Sequence, residues 1–546
     1  MCLHPAPIPA IPEETARVTR AAFPRQNPYV CLRDTLGPVF ADEQFASLFP
    51  ERGQPAAAPW RLALVTLLQF AEGLSDRQAA DAVRSRIDWK YLLALELGDP
   101  GFDFSVLSEF RTRLVEGSAA HLLFELLLQR CQEGRLLKAR GKQRTDSTQV
   151  LAAVGTLNRL ELVGETVRHA LDALAVAAPE WLRERVLPEW IARYRRPFDE
   201  YRLPRQQAER EQLALQIGAD GWALLTAALS PEAPPETRVA EVEVLRQVWV
   251  QQYLREGETL RWRGSGDLPP APRMINSPLD PEARYSEKRG ESWVGYKVHF
   301  TESCDPEAPS LITDVQTTVA PVPDQVMLPC IQAQLAAREL LPETQYVDAG
   351  YVTAAVLAES AKRYGVTVIG PVPRDTGWQA REGAGFAAQD FAVDWEARRA
   401  RCPGGKESVY WKERPRPSGT DILVKFAASD CRGCDYQPQC THAQRGRSLC
   451  LLPEPRHQAL AAARERTARE GFAEQAPRAG VEGTHSQAQR VCGLEQSRYL
   501  GLAKTHLQHL ATAAGLNLLR VGRWLLGTPK ARTRHTAFTR LMAVPA

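Results

Sequence analysis

The chain has 546 residues and a mass of 60.7 kDa, enough for three or four globular units of about 150 residues each. Hydrophobic residues make up 44% and charged residues 24%, and this average composition excludes low-complexity and collagen-like chains. Because 68 basic residues nearly balance 65 acidic ones, the net charge gives no global field that would attract nucleic acid. The apolar runs are too short for a membrane span, and the N-terminus lacks the pattern of a secretory signal. We therefore expect a cytoplasmic protein with no membrane partner.

The N-terminal part of the chain changes from an aperiodic segment to a helical one. Residues 1–38 are rich in proline, which predicts a flexible arm, whereas 39–138 show helical periodicity, most clearly over 60–70. Ser75 and Gln78 form a capping-box pattern that predicts a helix from residue 76 to about 87. Two short helices around a glycine turn are compatible with a helix-turn-helix that binds DNA and with an ordinary or dimerising bundle, and the sequence leaves both open.

The next part of the chain alternates between strand and helix patterns, as in a mixed α/β sheet. Residues 139–372 and 451–527 carry this pattern, and a mainly helical stretch, 155–290, interrupts it. A short strand is predicted around Asp146, period-two strands over 293–301 and 311–319, and another strand that ends at Asp348. Residues 373–450 read as an irregular Cys-rich insertion.

Three acidic residues stand at positions where a sheet could bring them together. Asp146 lies in the first predicted strand, Asp348 ends a later strand, and Glu482 opens a helical segment after the Cys-rich insertion. Two-metal phosphoryl transfer requires carboxylates from separate elements, which hold two ions about 3.5–4 Å apart. By itself this trio is weak, because the chain has 65 acidic residues to choose from.

Five sequence blocks, in this order, resemble a bacterial DDE transposase of the insertion sequence 1182 group. The resemblance extends from about residue 39 to 526, and its blocks are 145–148 (TDST), 295–299 (GYKVH), 347–351 (VDAGY), 478–484 (RAGVEGT) and 497–509 (SRYLGLAKTHLQH). It implies a ribonuclease-H-like core in which Asp146, Asp348 and Glu482 are catalytic and bind two Mg²⁺ or Mn²⁺ ions. It also implies that Arg478 contacts DNA.

The resemblance is incomplete after the predicted catalytic Glu482. Where the family has a lysine, this chain has Gln489 and Arg490, and we expect Arg490 to replace the lysine's positive charge at the DNA. Beyond Glu495 the chain has basic residues and no acidic ones, which favours contacts with phosphates, although solvated helix charges are an equal alternative. Within this segment we expect Arg498 and Lys504 to face DNA near the active site, and 528–546 to be a basic tail. The basic residues are Arg498, Lys504, Arg520, Arg523, Lys530, Arg532, Arg534 and Arg540.

Cysteines cluster in the insertion at 373–450. A C-x₂-C pair with two further thiols is sufficient for one tetrahedral Zn²⁺, and the four candidate ligands are Cys402, Cys431, Cys434 and Cys440. An iron–sulfur cluster and free thiols are the alternatives, and His442 or Cys450 could replace Cys440. The resembling family carries a similar quartet here, which implies a structural zinc.

The resemblance implies a transposase that binds the terminal inverted repeats of its insertion sequence as double-stranded DNA. It would use bound Mg²⁺ or Mn²⁺ to cleave DNA, transfer the freed strand to a target, and work as a homodimer associated with the bacterial nucleoid. Two alternatives remain at this point. One is a catalytically inactive, domesticated transposase that regulates by binding DNA, and the other is a stand-alone nuclease on the same core.

Overall fold

The computed structural model describes residues 2–155, 157–198, 203–257, 259–288, 290–382, 385–417, 419–530 and 541. The predicted basic tail therefore lies largely outside the described residues, and Arg532, Arg534 and Arg540 lie wholly outside them. Within the described chain, no helix is long and apolar enough to cross a membrane.

Helices form the N-terminal part of the described chain. Before the first strand these are α1 (Glu13–Ala22), α2 (Pro28–Leu36), α3 (Pro59–Glu72), α4 (Asp76–Ser85), α5 (Ile87–Leu92), α6 (Ser105–Glu116) and α7 (Leu122–Glu133). The predicted cap of α4 is confirmed, because the Ser75 and Gln78 side chains each bond the other's backbone N–H.

The segment 1–38 differs from the flexible arm that its prolines predicted, because α1 and α2 fold within it. Pro28 stands in the first turn of α2, where a missing N–H costs nothing, and the Asn27 side chain caps this helix. In α1, Thr15 is fully buried and donates a hydrogen bond to the Leu95 carbonyl at 2.8 Å. Prolines here begin helices rather than prevent them.

The first strand, β1 (Lys142–Leu151), is followed by the expected helical insertion. Its helices are α8 (Arg159–Ala177), α9 (Pro179–Arg183), α10 (Pro188–Tyr194), α11 (Gln207–Ala228) and α12 (Ala240–Gln252). The insertion ends in a hairpin that the sequence did not predict, formed by β2 (Tyr253–Glu256) and β3 (Thr259–Trp262). Its buried side chains form a hydrophobic core of their own, around Trp249 and Tyr253.

The central element is the mixed sheet that the alternating pattern predicted. Its remaining strands are β4 (Arg284–Lys288), β5 (Glu291–Ser303), β6 (Ile312–Val319), β7 (Thr344–Val347) and β8 (Thr367–Ile369). The spatial order is β6-β5-β1-β7-β8, and β4 also pairs with β5. Strand β1 is antiparallel to β5 and parallel to β7, and β7 is parallel to β8. Helix α13 (Met327–Ala337) lies between β6 and β7, and helix α14 (Ala354–Glu359) connects the parallel strands β7 and β8.

The Cys-rich insertion is more regular than we expected. It contains α15 (Trp378–Glu382), β9 (Ala392–Asp394), β10 (Arg399–Arg401), β11 (Tyr410–Arg416), β12 (Gly419–Lys425), α16 (Ala428–Arg432), α17 (Gln437–Cys440) and β13 (Ser448–Leu451). Strands β11, β12 and β13 form one antiparallel sheet. This sheet has a small core of its own, which includes Val424 and Phe426.

The C-terminal helices join the N-terminal helices to the central sheet. They are α18 (Glu454–Glu470), α19 (Gly480–Cys492) and α20 (Leu502–Leu525), and a 3₁₀ segment, Gly471–Ala479, precedes α19. Helix α20 contacts α2, α3, α7 and β6, so residues such as Leu67, Phe300 and Leu516 belong to one hydrophobic core. The N-terminal helices are therefore an integral part of the body that contains the sheet.

Candidate active site

Asp146 and Asp348, two of the predicted acidic residues, lie side by side at the point where the pairing of the parallel strands β1 and β7 ends. In the pairing of β1 with β7, Thr145 stands opposite Val347, and this is the last pair of that ladder. Asp146 and Asp348 are the next residues on the two chains, so both follow the same pair. Asp146 remains on β1, whereas Asp348 caps the 3₁₀ turn Ala349–Tyr351 after β7.

The third acid arrives from a distant part of the sequence. Glu482 lies in the first turn of α19, and this helix packs against β1. Arg478, four residues earlier, contacts all three carboxylates with one guanidinium group. Its Nη2 donates to Glu482 Oε1 at 2.9 Å, and its Nη1 lies 3.3 Å from Asp146 Oδ2 and 3.9 Å from Asp348 Oδ1. The structure thus brings the predicted triad and Arg478 together.

Burial and like charge act together on Asp146. Its side chain is only 14% exposed, whereas that of Glu482 is 60% exposed. Loss of water is the largest cause that raises the pKa of Asp146 to about 6, and the charge of Asp348 adds to it. Its hydrogen bond from the Ser147 N–H and the charges of Arg478 and Lys288 oppose this rise in pKa. A buried carboxyl beside a second carboxylate is typical of functional sites.

Two residues beside the triad were not predicted from the sequence. Asp324 packs against the turn that follows Asp348. Its Oδ2 lies 3.1 Å from the position that a Cβ on Gly350 would take. Its carboxylate pairs with Lys297 Nζ at 2.8 Å and lies 4.0 Å from Lys288 Nζ. In the sequence, Lys288 looks like any charged residue of a hairpin. Its position beside Asp324 depends on the pairing of β4 with β5.

His485 is a packing residue, as a lone histidine near a site usually is. Its ring is buried and stacks on Phe300, with the ring centroids 5.4 Å apart. Burial lowers the pKa of His485 to about 4, so the imidazole is neutral at physiological pH. Within the described chain neither ring nitrogen has a hydrogen-bond partner.

The predicted DNA-contacting residues have different surroundings. Arg490 and Lys504 are exposed on α19 and α20. Arg498 is exposed as well, and it also donates to the Leu74 carbonyl at 2.9 Å and lies over the Phe70 ring. Its guanidinium therefore connects the C-terminal segment to α3, a role that only the tertiary structure shows.

The basic residues after Glu495 do not form one uniform charged surface. Arg520 points into the protein, where it pairs with the buried carboxylate of Glu302 at 2.8 Å. Lys530 donates to the Asp305 carbonyl at 2.9 Å. Arg520 therefore fits neither alternative for this segment, phosphate contact or solvated charge, because its guanidinium pairs with a buried acid from β5.

The four predicted zinc ligands line one cavity in the Cys-rich insertion, namely Cys402, Cys431, Cys434 and Cys440. Backbone N–H groups point at two of the sulfur atoms: that of Lys406 lies 3.3 Å from Cys402 Sγ, and that of Arg447 lies 3.4 Å from Cys431 Sγ. Burial raises the pKa of the Cys440 thiol, and the neighbouring cysteines act in the same direction. The two alternative ligands make other contacts. The Cys450 thiol donates a hydrogen bond to the Asp421 carboxylate, and the His442 ring stacks on the Trp378 ring.

Neither the acidic triad nor the cysteine quartet has the compact geometry of a formed metal centre. Across the ranges that the structure describes, no group of three or more His, Cys, Asp or Glu side chains is arranged closely enough to hold a metal ion. In the triad, the guanidinium of Arg478 stands among the carboxylates.

Two segments of the chain match known protein families. Residues 401–521, which include Arg478 and Glu482, match the Transposase DDE domain family, and residues 17–113 match a transposase domain family, DUF772. Curated proteins and solved structures gave no match. The two family matches support a DDE transposase, an enzyme class that acts on DNA and generally uses divalent metal ions such as Mg²⁺.

Proposed function

We propose that this protein is a transposase of the insertion sequence 1182 group, with Asp146, Asp348 and Glu482 as the catalytic carboxylates of a ribonuclease-H-like core. The observation that carries this proposal is the meeting of three acids, from β1, the end of β7 and α19, at the single guanidinium of Arg478. The strand order β6-β5-β1-β7-β8 supports such a core, because its first acid belongs on the central strand and its second beside it.

The chemistry of these donors fits divalent metal ions. Carboxylate oxygens are the ligands that Mg²⁺ and Mn²⁺ prefer. The raised pKa of Asp146 reflects first its burial and then the like charge of Asp348, and a bound cation would offset both. When bound, two such ions would supply Lewis-acid stabilisation of the attacking and leaving oxygens. Asp146, Asp348 and Glu482 would hold them, and Arg478 would pair with a DNA phosphate.

The chain's own residues would position DNA more than take part in covalent chemistry, as in other phosphoryl transfers. The partly exposed Arg478 is placed to neutralise a phosphate beside the acids, and the exposed Arg490 lies about two turns after Glu482 in α19. Lys504 would contact the backbone of the same duplex. The exposed Arg498 would contact DNA from its place beside Leu74 and Phe70.

The Cys-rich insertion is proposed to hold one structural Zn²⁺ through Cys402, Cys431, Cys434 and Cys440. Four thiols around one cavity, two of them facing backbone N–H groups, are a suitable donor set. The metal would stabilise this small sheet, whose own hydrophobic core is modest.

The reaction is proposed to begin with recognition of terminal inverted repeats by a homodimer in the bacterial nucleoid, through the helices of 39–138. Hydrolysis then frees a 3′-hydroxyl, and this hydroxyl attacks a phosphodiester of target DNA. Both steps displace an oxygen from phosphorus, so one site serves both.

The experiment is a cleavage and strand-transfer assay with Mg²⁺ on DNA that carries the ends flanking this reading frame. We expect nicks at the ends of the element, followed by products in which these ends are joined to target DNA. Cleavage without joining would favour a stand-alone nuclease, and specific binding without cleavage would favour a domesticated regulator.

A further inference from the structure

A buried ionic cluster lies directly behind the candidate active site. Its centre is Glu302 on β5, whose side chain is 0% exposed. Arg144, its cross-strand neighbour on β1, contacts Oε1 through Nε at 2.7 Å and Nη2 at 2.6 Å. Oε2 accepts from Arg520 Nη1 at 2.8 Å and from the Thr484 hydroxyl at 2.6 Å. The three partner side chains therefore come from three different elements, Arg144 from β1, Arg520 from α20 and Thr484 from α19.

Arg144 connects this cluster to the strand and the segment that carry the site. It lies two residues before Asp146, on the same face of β1. Its Nη1 also donates to the Pro477 carbonyl at 2.9 Å, one residue before Arg478. The Arg144 guanidinium therefore connects Pro477, just before Arg478, to β1, the strand that carries Asp146.

Thr484 and Arg520 make the corresponding connection from the other side. Thr484 lies two residues after Glu482 in α19, and its hydroxyl both donates to Glu302 and accepts from Arg520 Nη2 at 2.7 Å. Arg520 further donates to Gln487 Oε1 at 3.1 Å, one turn later in the same helix. The first two turns of α19 are therefore held to β5 and α20 through one carboxylate.

The start of α19 packs closely against the Arg144 side chain. A Cβ at Gly480 would overlap the guanidinium of Arg144, so a larger residue there would require this side chain to move from its place in the cluster. Because Gly480 lies between Arg478 and Glu482, the close contact falls in the segment that brings both groups to the site.

A buried cluster of this kind is a costly way to gain stability alone. Removing a carboxylate and two guanidinium groups from water costs several kcal/mol per ion, and hydrophobic residues of equal volume often stabilise as well or better. Its geometry, in contrast, defines directions that apolar packing does not. Two of the three partner side chains lie on elements that carry the acids: Arg144 on β1, with Asp146, and Thr484 on α19, with Glu482.

We propose that Glu302 is a positioning residue, which holds 477–484 against β1 and so fixes the separation between the carboxylates of Asp146 and Glu482. This inference rests on the proposed function, because it concerns the affinity of that site for divalent metal. Groups that orient metal ligands typically change metal affinity by about 10–100-fold when they are mutated.

The test is Mn²⁺ binding to the full-length protein, measured from the electron paramagnetic resonance signal of free Mn²⁺, together with thermal unfolding in EDTA. Glu302→Gln keeps the size of the side chain and removes its charge. We expect Mn²⁺ to bind to this variant at least about tenfold more weakly than to the wild type. Mg²⁺-dependent cleavage should require a correspondingly higher metal concentration.

Asp314→Asn is the matched control. Asp314 lies on the adjacent strand β6, its side chain is also 0% exposed, and it pairs with a single arginine, Arg338, at 2.7 Å. Arg338 follows α13 rather than α19, so this substitution should leave Mn²⁺ affinity unchanged, whichever way it shifts the melting temperature. If Glu302→Gln does not fold, Thr484→Val removes the two hydrogen bonds of the Thr484 hydroxyl, to Glu302 and from Arg520, and should weaken Mn²⁺ binding severalfold.

The outcomes separate this inference from the proposed function. If Glu302→Gln and Asp314→Asn both keep wild-type Mn²⁺ affinity, Glu302 is only a core residue and the inference is wrong. If the wild type binds no Mn²⁺ at the triad, the proposed function itself fails. Weaker Mn²⁺ binding confined to Glu302→Gln and Thr484→Val supports both.

Discussion

The energetic cost of burying Asp146 gives a prediction that requires no DNA substrate. Replacing Asp146 with Asn keeps the side-chain size and removes the charge. A carboxyl whose pKa rises from 3.8 to about 6 on folding carries a penalty of about 3 kcal/mol at about 1.4 kcal/mol per pKa unit. We therefore expect Asp146→Asn to stabilise the metal-free protein by about 1–3 kcal/mol at pH 8, while it abolishes cleavage.

The pH dependence has a definite sign. Because the pKa of Asp146 is higher in the folded protein than in the unfolded chain, the folded state binds the proton more tightly. The free-energy cost of burying the charged Asp146 is complete well above pH 6, decreases as pH falls, and disappears below 3.8. At pH 4.5 about a third of it remains, so the gain from Asp146→Asn should shrink to about 1 kcal/mol or less.

Urea unfolding in EDTA at pH 8 and pH 4.5 measures this difference. Glu482→Gln is the matched control, since it should also abolish cleavage, but its 60% exposed side chain has little desolvation cost to relieve. The reasoning is refuted if Asp146→Asn is no more stable than wild type at pH 8. It is equally refuted if an increase in stability persists in full at pH 4.5.

Two other predictions concern the Cys-rich insertion and the C-terminal tail. Purified protein should contain about one zinc per chain by elemental analysis, and Cys434→Ser should lose it and expose 373–450 to proteolysis; metal-free wild type of normal stability would contradict this. Neutralising the basic tail should weaken binding to all DNA sequences alike and lower the salt dependence by about 0.9 per lost phosphate contact, as measured by titrations at several salt concentrations; loss of specificity with an unchanged salt dependence would contradict this. The residues to change are Arg532, Arg534 and Arg540.

The local parts of this fold were predictable from the sequence. The cap at Ser75 depends on two residues three positions apart, and the strand around Asp146 depends on its β-branched neighbours. The resemblance to a transposase placed Asp348 and Glu482 beside Asp146, a placement that the register of β1 with β7 and the packing of α19 reproduce.

The rest depended on contacts between residues far apart in the sequence. Arg498 reaches the Leu74 carbonyl, 424 residues away, and Arg520 reaches Glu302 across 218 residues. A run of basic residues does not reveal which of them a buried acid will pair with. The short strand β4 lies inside the stretch 155–290 that we predicted to be mainly helical, and only its pairing with β5 shows that it is a strand. The N-terminal prolines were misleading because helices begin at them.

The central claim is that Asp146, Asp348 and Glu482 bind one metal centre, and metal-directed cleavage of the chain tests it most directly. Fe²⁺ with ascorbate and peroxide cuts a polypeptide beside the ion that it replaces, and mass spectrometry locates the cuts. We predict breaks near residues 146, 348 and 482, suppressed by excess Mg²⁺ and absent from Asp348→Asn. Breaks at only one of these positions, or an unchanged pattern in Asp348→Asn, would contradict the account.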